Sequence, residues 1–281
     1  MHRFTLRRVR ETRLLGSTEC PTPTKCSRKE GGVGILTFNN PERHNAVSLE
    51  MWEATKRMLD GFAADDDIRV VVLTGAGGKA FVSGADISKF ASERATLEAS
   101  RAYNVKSDAA YASVADFPKP TIAMIRGYCI GGGVGLAVCC DLRICSDNSR
   151  FAVPAAKLGL GYGYSGLKRL VDIVGASFAK EIFYTARQFD AQEASAMGLV
   201  NRVVPAGELE AYVKSITDMI SANAPLTIKA VKFTVGEMLK DESKRNLARS
   251  VELVEQCFAS RDYTEGRTAF MEKRKPVFTG S

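Results

Sequence analysis

From residue 32 onward, apolar positions follow two periods that alternate along the chain. "GVGILTFNNP" (32–41) is rich in β-formers and closed by Asn-Pro, which predicts a strand. Ser48 then stands where a helix cap belongs, ahead of a run that puts Met51, Trp52, Met58, Leu59 and Phe62 on one helical face. "IRVVVLTGAGG" (68–78) is continuously apolar and ends in glycines, as a strand buried on both faces does. "KPTIAMIRG" (119–127) and "DLRICS" (141–146) predict two more strands, with a glycine-rich turn and a short helix between them. Strands alternating with helices predict an α/β core with parallel pairing. Beyond about residue 176 the period becomes helical, through "SFAKEIFYTA" and "AQEASAMG" and then over 206–223, 225–240 and 245–260. No internal repeat or low-complexity linker is visible, and no apolar run reaches the roughly 18–20 residues of a membrane-spanning helix.

The composition changes this picture at one end only. Hydrophobic residues make up 45% and charged residues 25% of the 281, ordinary values for a globular chain with ample core material. Residues 1–30 hold eight basic and three acidic side chains, so +5 of the net +7 belongs to the N-terminus. Such an Arg-rich, acid-poor start suits an organellar transit peptide, with a disordered extension as the other reading. The remainder is nearly neutral and carries no basic stripe interleaved with aromatics, which argues against nucleic-acid binding there. The seven cysteines are odd in number and four lie in apolar segments, which points to a reducing, intracellular compartment. Only His2 and His44 are present, which speaks against a His-based zinc site or a Ser-His-Asp triad, and no metal is expected.

Two motifs are set aside. "GYGYSG" (161–166), with Glu181 following, matches a dinucleotide fingerprint, but the segment before it contains Pro154 and does not read as a buried strand. Ser165 lacks the G-x-S-x-G elbow of a hydrolase. Two glycine-bearing segments remain, "AFVSGADISKF" (80–90) and "GGGVGLA" (131–137), each opening a helix with bare backbone. Two backbone N–H groups aimed at one point make an oxyanion hole, worth roughly 3–4 kcal/mol of transition-state stabilisation per donor. Two tight turns are the alternative, and these residues alone leave both readings open.

"NNPERHNAVS", "KAFVSGADISKF", "KPTIAMIRGYCIGGGVGLAVCCDLRI" and "EGRTAFMEKRKPVF" together resemble the crotonase (enoyl-CoA hydratase/isomerase) superfamily, in its order and spacing from about residue 28 to 278. The resemblance implies a spiral of βαβ turns with a helical C-terminal trimerisation region, assembled as a homotrimer or a dimer of trimers. It divides the chain into a basic extension (1–27), a spiral core (28–205) and a helical region (206–281). It implies an acyl-CoA thioester substrate, no cofactor beyond the coenzyme A that the substrate carries, and an oxyanion hole made by the N–H groups of Ala85 and Gly132. By the same resemblance Arg43 and Ala46 belong near the adenine, and Ala85, Asp86, Ile87 and Ser88 along the thioester and pantetheine. Phe270 and Lys273 are expected to close over the nucleotide, from this or a neighbouring subunit. A structural role is the alternative for each.

One departure bears on the reaction. Hydratases of this superfamily activate water with two glutamates, and at the matching positions this chain has Gly135 and Ala155. Neither can move a proton, and loss of a general acid–base costs typically about 10²–10⁴-fold. The segment "FAVPAAKLGLGYGYSG" is instead similar to the methylmalonyl-CoA decarboxylase branch, in which a catalytic tyrosine matches Tyr162. That branch carries a histidine where this chain has Ala85, so the match is partial. Tyr162 then orients a carboxylate or delivers a proton, or it merely walls the acyl pocket. Asp86 reads as a cap and Asp141 as a structural hydrogen-bond partner rather than as replacement bases. Hydratase-like and decarboxylase-like chemistry both remain, beside a non-catalytic acyl-CoA-binding or RNA-binding scaffold. The expected compartment is the cytoplasm, or the mitochondrial matrix if the extension is a transit peptide.

Overall fold

Three apolar runs, at 70–75, 121–125 and 142–146, are each followed by a second, shorter strand, and the two members of each pair go to different sheets. In the computed structural model, which describes residues 26–281, the strands are β1 (Cys26–Glu30), β2 (Val33–Phe38), β3 (Val70–Gly75), β4 (Ala80–Val82), β5 (Thr121–Ile125), β6 (Tyr128–Ile130), β7 (Leu142–Ser146), β8 (Arg150–Ala152), β9 (Phe189–Asp190) and β10 (Arg202–Val204). A six-stranded sheet runs β1-β2-β3-β5-β7-β10 and a four-stranded one β4-β6-β8-β9. Pairing is parallel except at β1–β2 and β8–β9, where it is antiparallel. The pairs β3/β4, β5/β6 and β7/β8 are therefore successive turns of a spiral. This is a repeat of structure that the sequence does not display. The transit-peptide reading falls on residues 1–27, of which 1–25 lie outside the described residues.

The helices are α1 (Leu49–Ala64), α2 (Phe90–Glu93), α3 (Leu97–Ala115), α4 (Gly132–Ala137), α5 (Ala155–Leu158), α6 (Tyr164–Thr185), α7 (Ala191–Ala196), α8 (Leu209–Ala222), α9 (Pro225–Met238), α10 (Leu247–Ala259) and α11 (Arg261–Glu272). Ser48 caps α1 as its position predicts, its side chain accepting from the Met51 N–H. Strand β3 is buried on both faces. Val71 and Leu73 join the main core with Trp52, Phe81 and Phe151, while Val70 and Val72 meet Leu209 and Val213 of α8 on the other side.

Two helical expectations need correction. The helical region begins at Tyr164 rather than near residue 176, because Gly175, at φ +75°, kinks α6 in its middle and breaks its apolar period. Helix α3 has no counterpart in the sequence reading, whereas α11 lies within the expected helical region 206–281. The buried face of α3 is Tyr103, Ser107, Ala110 and Val114, correctly spaced for a helix but too small and polar to show as an apolar stripe.

Candidate active site

Three consecutive glycines hold the centre of the site, and they do different work. Gly131, at φ +55°, turns the chain into α4 while its N–H donates to the Ala152 carbonyl at 2.7 Å. Gly133 packs on β4 so closely that a Cβ would lie 2.1 Å from the Val82 carbonyl oxygen. Gly132, between them, is the first residue of α4, and its N–H has no acceptor within that helix. The loop after β4 comes alongside, since a Cβ on Gly84 would be 3.5 Å from the Gly132 nitrogen. Ala85 follows and pairs with Val47 in a lone parallel bridge. Its two hydrogen bonds are Val47 N–H to the Gly84 carbonyl and Asp86 N–H to the Val47 carbonyl, so the Ala85 N–H is directed elsewhere.

Ala85 and Gly132 line one cavity of about 220 Å³, together with Gly135, Ala155 and Tyr162. The structure thus gathers the two N–H candidates, both glutamate positions and the candidate tyrosine around a single space. Gly135 is half-buried and Ala155 buried. Tyr162, 37% exposed, sets its ring edge-to-face on Phe183 at 4.8 Å. Its phenol is pushed above the usual tyrosine range by burial, with the Arg94 guanidinium drawing it back.

The far wall comes from α3 and was missed from sequence. Tyr111, Asp108 and Tyr103 face the cavity, joined by Arg94 and by Arg169 of α6. The guanidinium of Arg94 lies 3.7 Å from the centre of the Tyr103 ring, whose hydroxyl accepts from Trp52 Nε1 at 3.0 Å. Burial raises the Asp108 carboxyl above the ordinary range and nearby Arg169 partly offsets this. Burial also pushes the Tyr111 phenol well above its ordinary value. The helical spacing of residues 103, 104, 107, 108 and 111 is the signal that could have exposed this wall.

Other candidates stand apart from the cavity. Arg43 pairs with Asp86 at 3.0 Å and also donates to the Ser88 hydroxyl. Asp86 in turn accepts from the Ser88 hydroxyl at 2.6 Å and the Ser88 N–H at 3.1 Å, capping the 3₁₀ turn Ile87–Lys89. The Ser88 hydroxyl, ahead of Arg43, holds the Asp86 carboxyl below its usual range, so it is a fixed anion and no spare base. Ala46 is buried beside this cluster's loop, and the Ile87 side chain lies outside the described residues. Asp141 accepts from the Thr121 N–H at 2.7 Å and pairs with Lys232 at 2.7 Å, a tie between β5 and α9.

Phe270, 82% exposed, lines a second, wider apolar groove among α9, α10 and α11, while Lys273 ends α11; neither lines the first cavity. The run "GYGYSG" is preceded by helix α5 instead of a strand, which removes the dinucleotide reading, and Ser165 lines the cavity wall with no histidine there. Among the described residues no group of His, Cys, Asp and Glu could hold a metal ion.

The enoyl-CoA hydratase/isomerase family profile matches residues 28–281. The chain belongs to the enoyl-CoA hydratase/isomerase family. It is similar to a short-chain-enoyl-CoA hydratase of Clostridium acetobutylicum, 36% identical over 88% of this chain and 94% of that protein. It is 35% identical to a crotonyl-CoA hydratase of Syntrophomonas wolfei, over 89% and 95% of the two chains. A crystal structure of an enoyl-CoA hydratase/carnithine racemase from Magnetospirillum magneticum superposes with a TM-score of 0.88 at 36% identity, covering 92% of this chain and 97% of that one. The mixed α/β spiral is thus the family fold. The cavity of this member is lined mainly by glycine and apolar side chains, with Tyr103, Tyr111, Tyr162, Arg94 and Arg169 among its polar groups and Asp108 as the carboxylate present.

Proposed function

We propose that this protein processes a short or compact acyl-CoA by holding its thioester enolate between the N–H groups of Ala85 and Gly132, as a lyase or isomerase. The observation that supports this reading is the placement of both N–H groups on one cavity, the Ala85 N–H turned away from its bridge and the Gly132 N–H without an intrahelical acceptor. Arg43, Ala46, Asp86 and Ser88 would serve the coenzyme A moiety outside the cavity, and Phe270 and Lys273 its nucleotide, across a subunit boundary. No cofactor beyond coenzyme A is called for. The relatives' names favour hydration of a short enoyl-CoA.

A second reading, decarboxylation of a malonyl-type thioester, is favoured by Tyr162 in the cavity and by the lack of a carboxylate at positions 135 and 155. Decarboxylation needs the oxyanion hole and one proton donor and dispenses with a water-activating pair. We further infer a homotrimer or dimer of trimers, acting in the cytoplasm or the mitochondrial matrix. No helix among the described residues is long and apolar enough to cross a membrane.

The test is mass spectrometry of a CoA-ester panel after incubation with the purified protein. Gain of water on crotonyl-CoA supports hydration, and loss of CO₂ from methylmalonyl-CoA supports the second reading. Tight binding of the esters without turnover would leave a scaffold instead.

A further inference from the structure

Helix α3 brings to the cavity a side chain that no motif announces. A Cβ at Gly132 would sit 3.0 Å from the Tyr111 hydroxyl, and one at Gly135 would sit 3.4 Å from both the hydroxyl and the ring. The hydroxyl donates to the Gly132 carbonyl at 3.3 Å, and the ring lies tilted on Trp52 with centroids 4.9 Å apart. Tyr111 is therefore held from two sides, with its oxygen beside Gly132, whose N–H has no acceptor within α4. A longer side chain at 135 would have to enter the space the phenol fills. The bare Cα at 135 and the tyrosine at 111 are two halves of one arrangement, in which a phenol occupies the room a glutamate would need.

We propose that Tyr111 is the proton donor of this site, delivering its hydroxyl proton to the α-carbon of the acyl-CoA enolate. The proposal rests on the reading that Ala85 and Gly132 hold that enolate. In the step, the phenol O–H bond breaks, the enolate electron pair forms the new C–H bond, and the thioester carbonyl is restored. The phenolate regains its proton from solvent. The phenol is neutral at pH 7 as any tyrosine is, and burial, with Tyr162, Cys139, Tyr103 and Asp108 in the same direction, further disfavours its ionisation. The cations in the same wall are Arg94 and Arg169. A phenol so placed is an acid rather than a base, which suits quenching an enolate and does not suit activating water. The donor is therefore needed for either reaction. Tyr162, packed on Phe183 and partly exposed, is left to orient the acyl group.

Tyr111→Phe removes the donor and keeps the ring on Trp52. On whichever of crotonyl-CoA or methylmalonyl-CoA the wild type turns over, kcat should fall by about 10²–10⁴-fold with KM nearly unchanged. The melting temperature should fall by no more than the loss of the one hydrogen bond to the Gly132 carbonyl, and calorimetric titration with acetyl-CoA should match the wild type, which separates lost chemistry from lost structure or binding. Wild-type-like kcat in Tyr111→Phe overturns the proposal and leaves the oxyanion reading standing. So does a parallel Tyr162→Phe variant that takes the whole loss while Tyr111→Phe takes none. Binding without turnover in the wild type itself overturns both readings together.

Discussion

At Gly133 the backbone of α4 touches the backbone of β4, and a methyl group would lie 2.1 Å from the Val82 carbonyl oxygen. Gly133→Ala must push two segments of the site apart, costing about 1–3 kcal/mol or more, read as a lower urea midpoint together with loss of turnover. Asp86 permits a prediction with a definite sign. Its carboxyl is held below the ordinary aspartate range by Ser88 and Arg43, so its contribution to stability is complete above that range. It is lost as pH falls through the lower, folded-state pKa. Urea midpoints measured from pH 5 downward should drop less steeply for Asp86→Asn than for the wild type, and identical slopes would remove Asp86 from the acid limb. At this scale the sequence was informative about backbone and poor on side chains. Ala85, Gly132, Gly135, Ala155 and Tyr162 all reach one cavity, because glycine runs and short motifs mark the chain locally. Tyr111 and Asp108 carry no local mark, since what makes them notable is a neighbour more than twenty residues away.

Helix α3 is the element on which the acidic side of the site depends. Thr96 caps it, its hydroxyl accepting from the Ala99 N–H at 3.1 Å. Thr96→Ala should cost about 0.5–2 kcal/mol and loosen the helix that carries Tyr111, seen as faster amide hydrogen exchange over residues 97–103. Unchanged exchange there would show that packing against α1, and not the cap, fixes the helix. The strands were legible because a run such as Val70–Leu73 is apolar on both faces whatever packs on it. Helix α3 was not, because one side of it meets a cavity and needs Tyr, Ser and Asp in place of a leucine stripe. The kinked α6 was half legible for a related reason: Gly175 resets the phase of its apolar positions.

Over the whole molecule, the apolar surface is concentrated at the C-terminal end, where Val231, Val235, Phe258 and Phe270 are all at least half exposed. If a second and third copy cover it, light scattering should give three or six times the 30.5 kDa chain mass. Phe258→Glu should then shift that mass toward the single chain, and a monomeric wild type would set the trimer aside. The spiral itself was legible only through resemblance, since its turns share no sequence repeat. Its connectivity carries a consequence for how the protein is made. Parallel neighbours such as β3 and β5 are joined through the long excursion that contains α3, and the cavity takes walls from α1, α3, α4 and α6. Long-range pairing of this kind folds slowly. A chain emerging from the ribosome cannot close the cavity until Phe183 has been added, so a stalled nascent chain ending at Ala152 should be captured by chaperones and retain no acyl-CoA.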